Sequence, residues 1–320
     1  MPYGLDSKLG LSFQTSYGTA LTSSMHWLEP INDSIGLKKA QITRQGMRGI
    51  YDEGAYQEGV NTVDGDITIE AKAIPLGVLL SATNLDAVVT SGTMYTHTFK
   101  PRTADWDSYS AERPFTYHKG MGDTGSAQLY ADMNGNNLEL SIANGELLTA
   151  KMGMIGGTYS QIAAIAASYS TGDALQWSVS SISIAGTARD NIKALTITQD
   201  NTLEAKHVLK ATKYPSRVKR SGQRSISIAG TFLFDNQTDL QTFVSQAEQR
   251  LLLSLVTATQ IQSGYYESFT VDVPSMRFTE MPQAISGVGE MEIGFSAKGV
   301  YNVGSACAIT YTLVNTKAAY

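Results

Sequence analysis

The sequence is poor in the residues that metal, redox and disulfide-rich proteins need. Its 320 residues include one cysteine, Cys307, and four scattered histidines, His26, His97, His118 and His207. A single cysteine excludes an intrachain disulfide framework and any multi-cysteine metal site. The histidines form neither a metal-binding H-x-x-x-H pair nor a credible catalytic triad. We therefore expect no cofactor and no metal ion, and we expect Cys307 to be a buried thiol.

Long apolar runs, a targeting segment and an excess of basic residues are also missing. No run approaches the roughly 18 apolar residues of a membrane-spanning helix, and residues 1–10 lack the charged and apolar regions of a signal peptide. Lys+Arg 24 against Asp+Glu 29 gives a net charge of -5, whereas a dedicated nucleic-acid binder usually carries a basic excess. We expect a soluble protein, made inside the cell, with no membrane insertion.

Alternation of apolar and polar residues predicts strands. It runs through Asp66–Glu70, Asn137–Ile142, Ser181–Ile184 and Ser225–Ile228. This period of two is typical of half-buried antiparallel strands. The sequence therefore predicts mainly β structure with many turns.

Two segments predict helices instead. Pro75–Ser81 is short and apolar, with proline in the first turn, where its missing N–H costs little. Asn236–Leu252 is the stronger candidate, because an apolar stripe at helical spacing passes through Phe243, Val244, Ala247 and Leu251.

The same order of predicted elements occurs twice along the chain. In each half a strand and a polar loop precede a second strand, a helix and further strands, which favours a duplication over chance likeness between β-sandwiches. We expect a first domain over residues 1–165, with an N-terminal arm and an extra loop at Lys100–Pro114, and a second over residues 166–320. Both would be antiparallel β-sandwich or barrel domains with a flanking helix.

Two patterns that could carry chemistry have simpler explanations. Gly120–Gly125 satisfies the dinucleotide-binding pattern G-x-G-x-x-G, which needs a helix after it. Ser126–Met133 alternates like a strand, so we expect a turn. Asp52, Glu53 and Glu58 could serve as glycosidase carboxylates, but their Gly-rich loop has nothing apolar to raise a pKa. The sequence favours a protein that is not an enzyme.

Two loops at matching places in the repeat carry opposite charge. Residues 51–70 hold six acidic residues and no basic one, and residues 206–224 hold seven basic residues and no acidic one. The pairing favours complementarity between protein surfaces; a solvated loop and a DNA contact are the alternatives. We predict an inter-subunit interface formed by Asp52, Glu53, Glu58, Asp64, Lys210, Lys213, Arg217, Lys219 and Arg220.

Several blocks resemble tail tube proteins of long-tailed bacteriophages. In that family a Gly-rich loop precedes a G-x-I-x-x-E strand and a P-L-G-x-L-L helix start, as in Gly65–Glu70 and Pro75–Leu80. Second-half blocks that look similar are Gln199–Glu204, Tyr214–Ser216, Gly230–Phe232 and Phe234–Asp235. The resemblance extends roughly from Ile35 to Tyr301.

The resemblance implies a structural subunit of the virion tail, made in the host cytoplasm. Rings of β-sandwich domains would stack into a hollow tube through which double-stranded DNA passes transiently. Six domain positions per ring would be filled by three duplicated chains. Tape measure and terminator proteins would be partners, and the protein would need no catalytic residue.

Three other functions stay open on the sequence alone. Another tube or ring component, such as a secretion-system-like tube or a tail terminator, would share the architecture. A tandem β-sandwich carbohydrate or receptor binder would instead be a monomer with an aromatic-lined cleft. An acidic-residue glycosidase is the weakest alternative.

Overall fold

The computed structural model describes residues 6–44, 56–91, 94–101, 114–122, 125–234, 237–262, 264–282 and 291–320. Strands dominate them, and the two described α-helices are α1 (Ala73–Thr83) and α2 (Thr238–Ser245). The strands before residue 165 are β1 (Lys8–Phe13), β2 (His26–Leu28), β3 (Pro30–Asp33), β4 (Gly36–Thr43), β5 (Tyr56–Glu70), β6 (Leu85–Ser91), β7 (Met94–Lys100), β8 (Phe115–Gly120), β9 (Ser126–Ala143) and β10 (Thr149–Ala163). Those after it are β11 (Ser180–Ile184), β12 (Thr187–Arg189), β13 (Ile192–Asp200), β14 (Leu203–Lys206), β15 (Arg217–Arg220), β16 (Ser225–Leu233), β17 (Gln249–Gln262), β18 (Tyr265–Glu280), β19 (Glu292–Gly299) and β20 (Thr310–Asn315).

The strands follow the alternation of the sequence. In β16, Ile226 and Ile228 are buried while their neighbours Ser225 and Ser227 are exposed, as a pleated strand with one face on a core requires. The expected mainly β fold is confirmed. The segment after the G-x-G-x-x-G pattern is strand β9, as predicted, while the predicted turn falls partly on residues outside the described ranges.

Eighteen of the described strands belong to one hydrogen-bonded sheet, and β14 pairs with β15 in a separate hairpin. Every pairing is antiparallel, as the sequence predicts. The described strands do not close into a barrel, so the sandwich alternative of the expected fold is the one observed.

Strand pairings repeat between the two halves with the same register. Pairings β1·β2, β1·β8, β8·β9, β9·β10 and β10·β5 correspond in order to β11·β12, β11·β17, β17·β18, β18·β19 and β19·β16. In the first half Ile155 lies opposite Asn134 and Asp64; in the second, Lys298 lies opposite Arg277 and Ser227.

An irregularity in the ladder falls at the same place in both halves. Asn136 of β9 has no paired residue on β10, because Met154 lies opposite Gly135 and Gly153 lies opposite Asn137. Thr279 of β18 likewise has no paired residue on β19, because Ala297 lies opposite Phe278 and Ser296 lies opposite Glu280. A bulge inserts one unpaired residue and bends the strand, so its recurrence at matching positions supports the duplication that the sequence predicts.

Two strands connect the halves. Strand β13 pairs along β9, from Ala194↔Ala143 to Asp200↔Asn137, and β20 lies between β18 and β7. The sheet is therefore continuous across the expected boundary, while residues 164–173 contain neither helix nor strand.

Helix α1 lies at the expected place, but it is enclosed rather than flanking. All its residues except Ile74 are buried, as expected for a helix that is apolar all round. Tyr320 covers one side of it, because its ring lies against Gly77 and its hydroxyl accepts a hydrogen bond from Asn315 Nδ2 over 2.6 Å.

The prediction of a helix over Asn236–Leu252 is wrong beyond Ser245. Gln246 adopts the left-handed conformation, with φ 55°, and ends α2. Strand β17 follows, with Leu251, Leu253 and Leu255 buried on one face. Leu251 continues the helical stripe of Phe243 and Ala247 and also starts the period of two that Leu253 and Leu255 continue; pairing with β11 and β18 decides for the strand.

Replacing Gly77 tests the cover over α1. An alanine Cβ would lie 2.1 Å from Tyr320 Cζ, so Gly77→Ala should lower the free energy of unfolding by about 1–3 kcal/mol. Gly294→Ala is the matched control, because its nearest heavy atom lies at 4.0 Å, and its effect should stay within about 0.5 kcal/mol. Denaturant unfolding measures both. An equal loss for Gly77→Ala in a Tyr320→Ala background would contradict the contact.

Candidate functional site

The described residues offer little for catalysis. No group of three or more His, Cys, Asp and Glu side chains within them could hold a metal ion, and Cys307 is a buried free thiol, as expected. Within the same ranges no helix has the length and apolar character to cross a membrane. The predicted site residues within the described ranges lie instead on two charged loops near the boundary between the halves.

The basic loop is built on the β14–β15 hairpin. Val218 and Leu203 are buried against Ile155 of β10, which holds the hairpin on the first half. At its start Thr202 is left-handed, with φ 52°, and its N–H donates to Asp200 Oδ1 over 2.8 Å. A turn of this kind is stabilised when an aspartate side chain accepts a hydrogen bond from the backbone N–H two residues later.

The predicted basic residues occupy different parts of this hairpin. Lys210 and Lys213 lie exposed beyond the paired segments, Arg217 is exposed at the start of β15, and Lys219 and Arg220 are half-buried. The predicted acidic residues Glu58 and Asp64 both lie on β5, whereas Asp52 and Glu53 fall outside the described residues.

The acidic and basic surfaces meet within one chain. Lys213 Nζ donates to the Glu58 carboxylate, and the Asn61 N–H donates to the Lys213 carbonyl over 2.8 Å. The hydrogen bond from Lys213, then its charge, then the charge of Lys39 hold the pKa of Glu58 below its ordinary value. The opposite charges thus attract across the boundary between the halves, while their role between subunits stays a prediction.

Other acidic residues find partners nearer in the fold. Asp64 pairs with Lys38 at 2.6 Å, and Asp66 pairs with Lys151 at 3.4 Å. Both pairs are well exposed, and exposed pairs are worth about 0–1 kcal/mol each. The structure therefore brings Glu58 and Lys213 together and directs Asp64 to a different lysine.

A buried polar cluster at the same boundary was not foreseen from the sequence. Gln199, Asn201 and Asn84 are fully buried, and Gln199 Nε2 donates to Asn84 Oδ1 over 3.0 Å and to Asn201 Oδ1 over 3.1 Å. Tyr311 OH donates to Gln199 Oε1 over 3.1 Å. Because Gln199 shares the apolar face of β13 with Leu195 and Ile197, a polar residue on that face was the available signal.

Arg224 is half-buried and belongs to this cluster instead of the exposed basic surface. Its Nε donates to Asn201 Oδ1 over 2.8 Å. Burial, and next the charge of Arg220, lower the pKa of Arg224 to about 10. The guanidinium is thus linked to the end of α1 through Asn201, whose Nδ2 donates to the Thr83 carbonyl over 3.4 Å.

These features define an antiparallel β protein in which two similar halves share one sheet and oppositely charged loops meet at their boundary. The chain belongs to the phage tail tube protein family, which it matches over residues 4–304. None of the curated proteins compared with it matches. The resemblance noted in the sequence blocks is confirmed, and membership implies a structural role in the virion tail and oligomeric assembly with other tail proteins.

Removing Lys213 tests the contact between the charged loops. In Lys213→Ala the pKa of Glu58 should rise toward its ordinary value, because the hydrogen bond and the larger charge effect are both lost. Lys39→Ala should raise it less. Carboxyl-selective NMR titration measures both shifts.

The sign of the pH dependence follows from the lowered pKa. The contact stabilises the folded chain above the unfolded-state pKa of Glu58, and this contribution is lost as pH falls through the folded-state value. A pKa of Glu58 that is the same in Lys213→Ala and in the parent protein would show that the contact does not form in solution.

Proposed function

We propose that this protein is the major tail tube subunit, and that its rings stack into the hollow conduit for DNA ejection. Family membership supports the tail location and the structural role. The observation that carries the finer proposal is the repeated set of strand pairings, with β13 of the second half added to β9 of the first. Each chain would supply two equivalent positions of a ring.

Three chains would then form one ring with pseudo-sixfold symmetry. A head-to-tail contact closes into a ring when its rotation divides a full turn. Within a chain the second half already follows the first through a shared sheet, so the next chain would follow through the corresponding contact. Closure would also remove exposed strand edges, which otherwise promote aggregation.

The tube would act by its geometry. We propose that double-stranded DNA passes through the lumen without lasting contacts, because tight phosphate binding would stall ejection. The net charge of -5 is in keeping with that, and the predicted basic residue Lys213 is engaged by Glu58. Tape measure and terminator proteins would limit the length of the tube and cap it.

Mass measurement and electron microscopy test this proposal together. Dissociated rings should have the mass of three 34.4 kDa chains, and negative-stain images of the purified protein should show tubes of many stacked rings. Six chains per ring would contradict the duplicated arrangement. Single rings that never stack would favour a terminator, and a stable monomer would favour the carbohydrate- or receptor-binding alternative.

A further inference from the structure

The contact between the halves includes a defined pair of strand positions. At the end of β13, Asp200 lies opposite Asn137 and Gln199 lies opposite Leu138 of β9. Gln199 and Leu138 are fully buried, while Asp200 and Asn137 are half-buried. We call these two pairs the in-chain junction.

The repeated register locates the counterpart of β13 in the first half. Ile155 and Lys298 match, because each pairs with the residue two before the bulge residue of its own half. Asp64 lies opposite Ile155 and Ser227 lies opposite Lys298, so Asp64 and Ser227 match as well. One and two residues before them, Ile226 and Ser225 lie opposite Gln199 and Asp200. At the same steps on β5, Val63 and Thr62 lie opposite Leu37 and Lys38 of β4. Leu37 therefore matches Gln199, and Lys38 matches Asp200.

The register also locates the counterpart of β9 in the second half. Because Asn136 and Thr279 are the matching bulge residues, Glu280 matches Asn137 and Met281 matches Leu138. The burial agrees, since Met281 is buried and Glu280 is exposed.

Both counterparts lack the neighbour that the in-chain junction has. In the described part of the chain β4 pairs only with β5, and the end of β18 at Glu280 pairs only with β19. Lys38 and Glu280 are exposed and carry opposite charge. Strand positions directly opposite one another bring Cβ atoms to about 4.5–5.5 Å, close enough for these two side chains to attract.

The helices show the same imbalance between the halves. Helix α1 contacts β18 and β20 of the second half and is almost wholly buried. Helix α2 occupies the matching place, yet none of its residues is buried, and Val244 is 71% exposed. Among the described residues, therefore, α2 does not receive the cover that the second half gives to α1.

We propose that the partner of both surfaces is a second copy of this chain, joined by antiparallel pairing of β4 with the end of β18. Lys38 of one copy lies opposite Glu280 of the next, and Leu37 lies opposite Met281. The second copy also covers the exposed side of α2. This inference rests on the ring proposed above and adds which edges meet and in which register.

The contact of Lys38 with Asp64 is compatible with this pairing. Their side chains are 67% and 39% exposed, so the pair is weak, and the ammonium group has three protons to donate. Lys38 can therefore contact Asp64 in its own chain and Glu280 in the next.

Cysteine cross-linking of assembled tubes tests the register. After mild oxidation, the variant Lys38→Cys/Glu280→Cys should give a ladder of covalently joined chains that ends at three on a non-reducing gel. Lys39→Cys/Glu280→Cys is the matched control and should give little ladder, because successive side chains of a strand point to opposite faces. Cys307 is 5% exposed, and the parent protein measures its background.

The outcomes separate this inference from the proposed function. Tubes that form without the ladder, or a cross-link confined to single chains, would overturn the register while leaving the tube intact. Failure of the parent protein to form rings would overturn both.

Charge exchange covers the case in which the cysteine variants do not assemble. Lys38→Glu should lose most tubes in sedimentation, and Lys38→Glu/Glu280→Lys should recover them, because like charges directly opposite repel and opposite charges attract. Parent-like assembly of Lys38→Glu, or no recovery in the double variant, would overturn the inference.

Discussion

The pairing of β13 with β9 holds the two halves of the chain in one sheet. It places seven residues of the second half, from Ala194 to Asp200, in the sheet of the first. The chain end then crosses back, with β20 next to β7 and Tyr320 against Gly77 of α1. Backbone hydrogen bonds along an edge give both affinity and direction, so the two halves have one defined arrangement.

Polar interactions at this boundary specify position more than they add stability. The exposed Glu58–Lys213 pair contributes little on its own, whereas the buried cluster of Gln199, Asn201 and Asn84 must be fully paired, because an unpaired buried polar group costs about 1–3 kcal/mol. A shifted register would leave those groups without partners. The exposed ion pair and the buried amide side chains therefore favour the same alignment of β13 on β9.

Sequence patterns predicted the features that depend on neighbours along the chain. Alternation located β5, β9, β11 and β16, and the apolar run located α1. The end of α2 was missed because Leu251 fits both the helical stripe that precedes it and the period of two that follows it, and only pairing with distant strands decides between them. The opposite charges of the two loops were visible in the sequence, but the contact of Glu58 with Lys213 depends on how the halves dock. The inter-subunit role of the charged residues and the division at residue 165 stay predictions.

A cryo-EM map of the assembled tube would show whether neighbouring chains repeat the in-chain junction. We expect first and second halves to alternate around each ring. We also expect β4 and β18 of neighbouring chains to superpose on β13 and β9 within one chain, with the same register. A ring in which each chain fills a single position, or in which neighbouring chains meet without a shared sheet, would contradict these expectations.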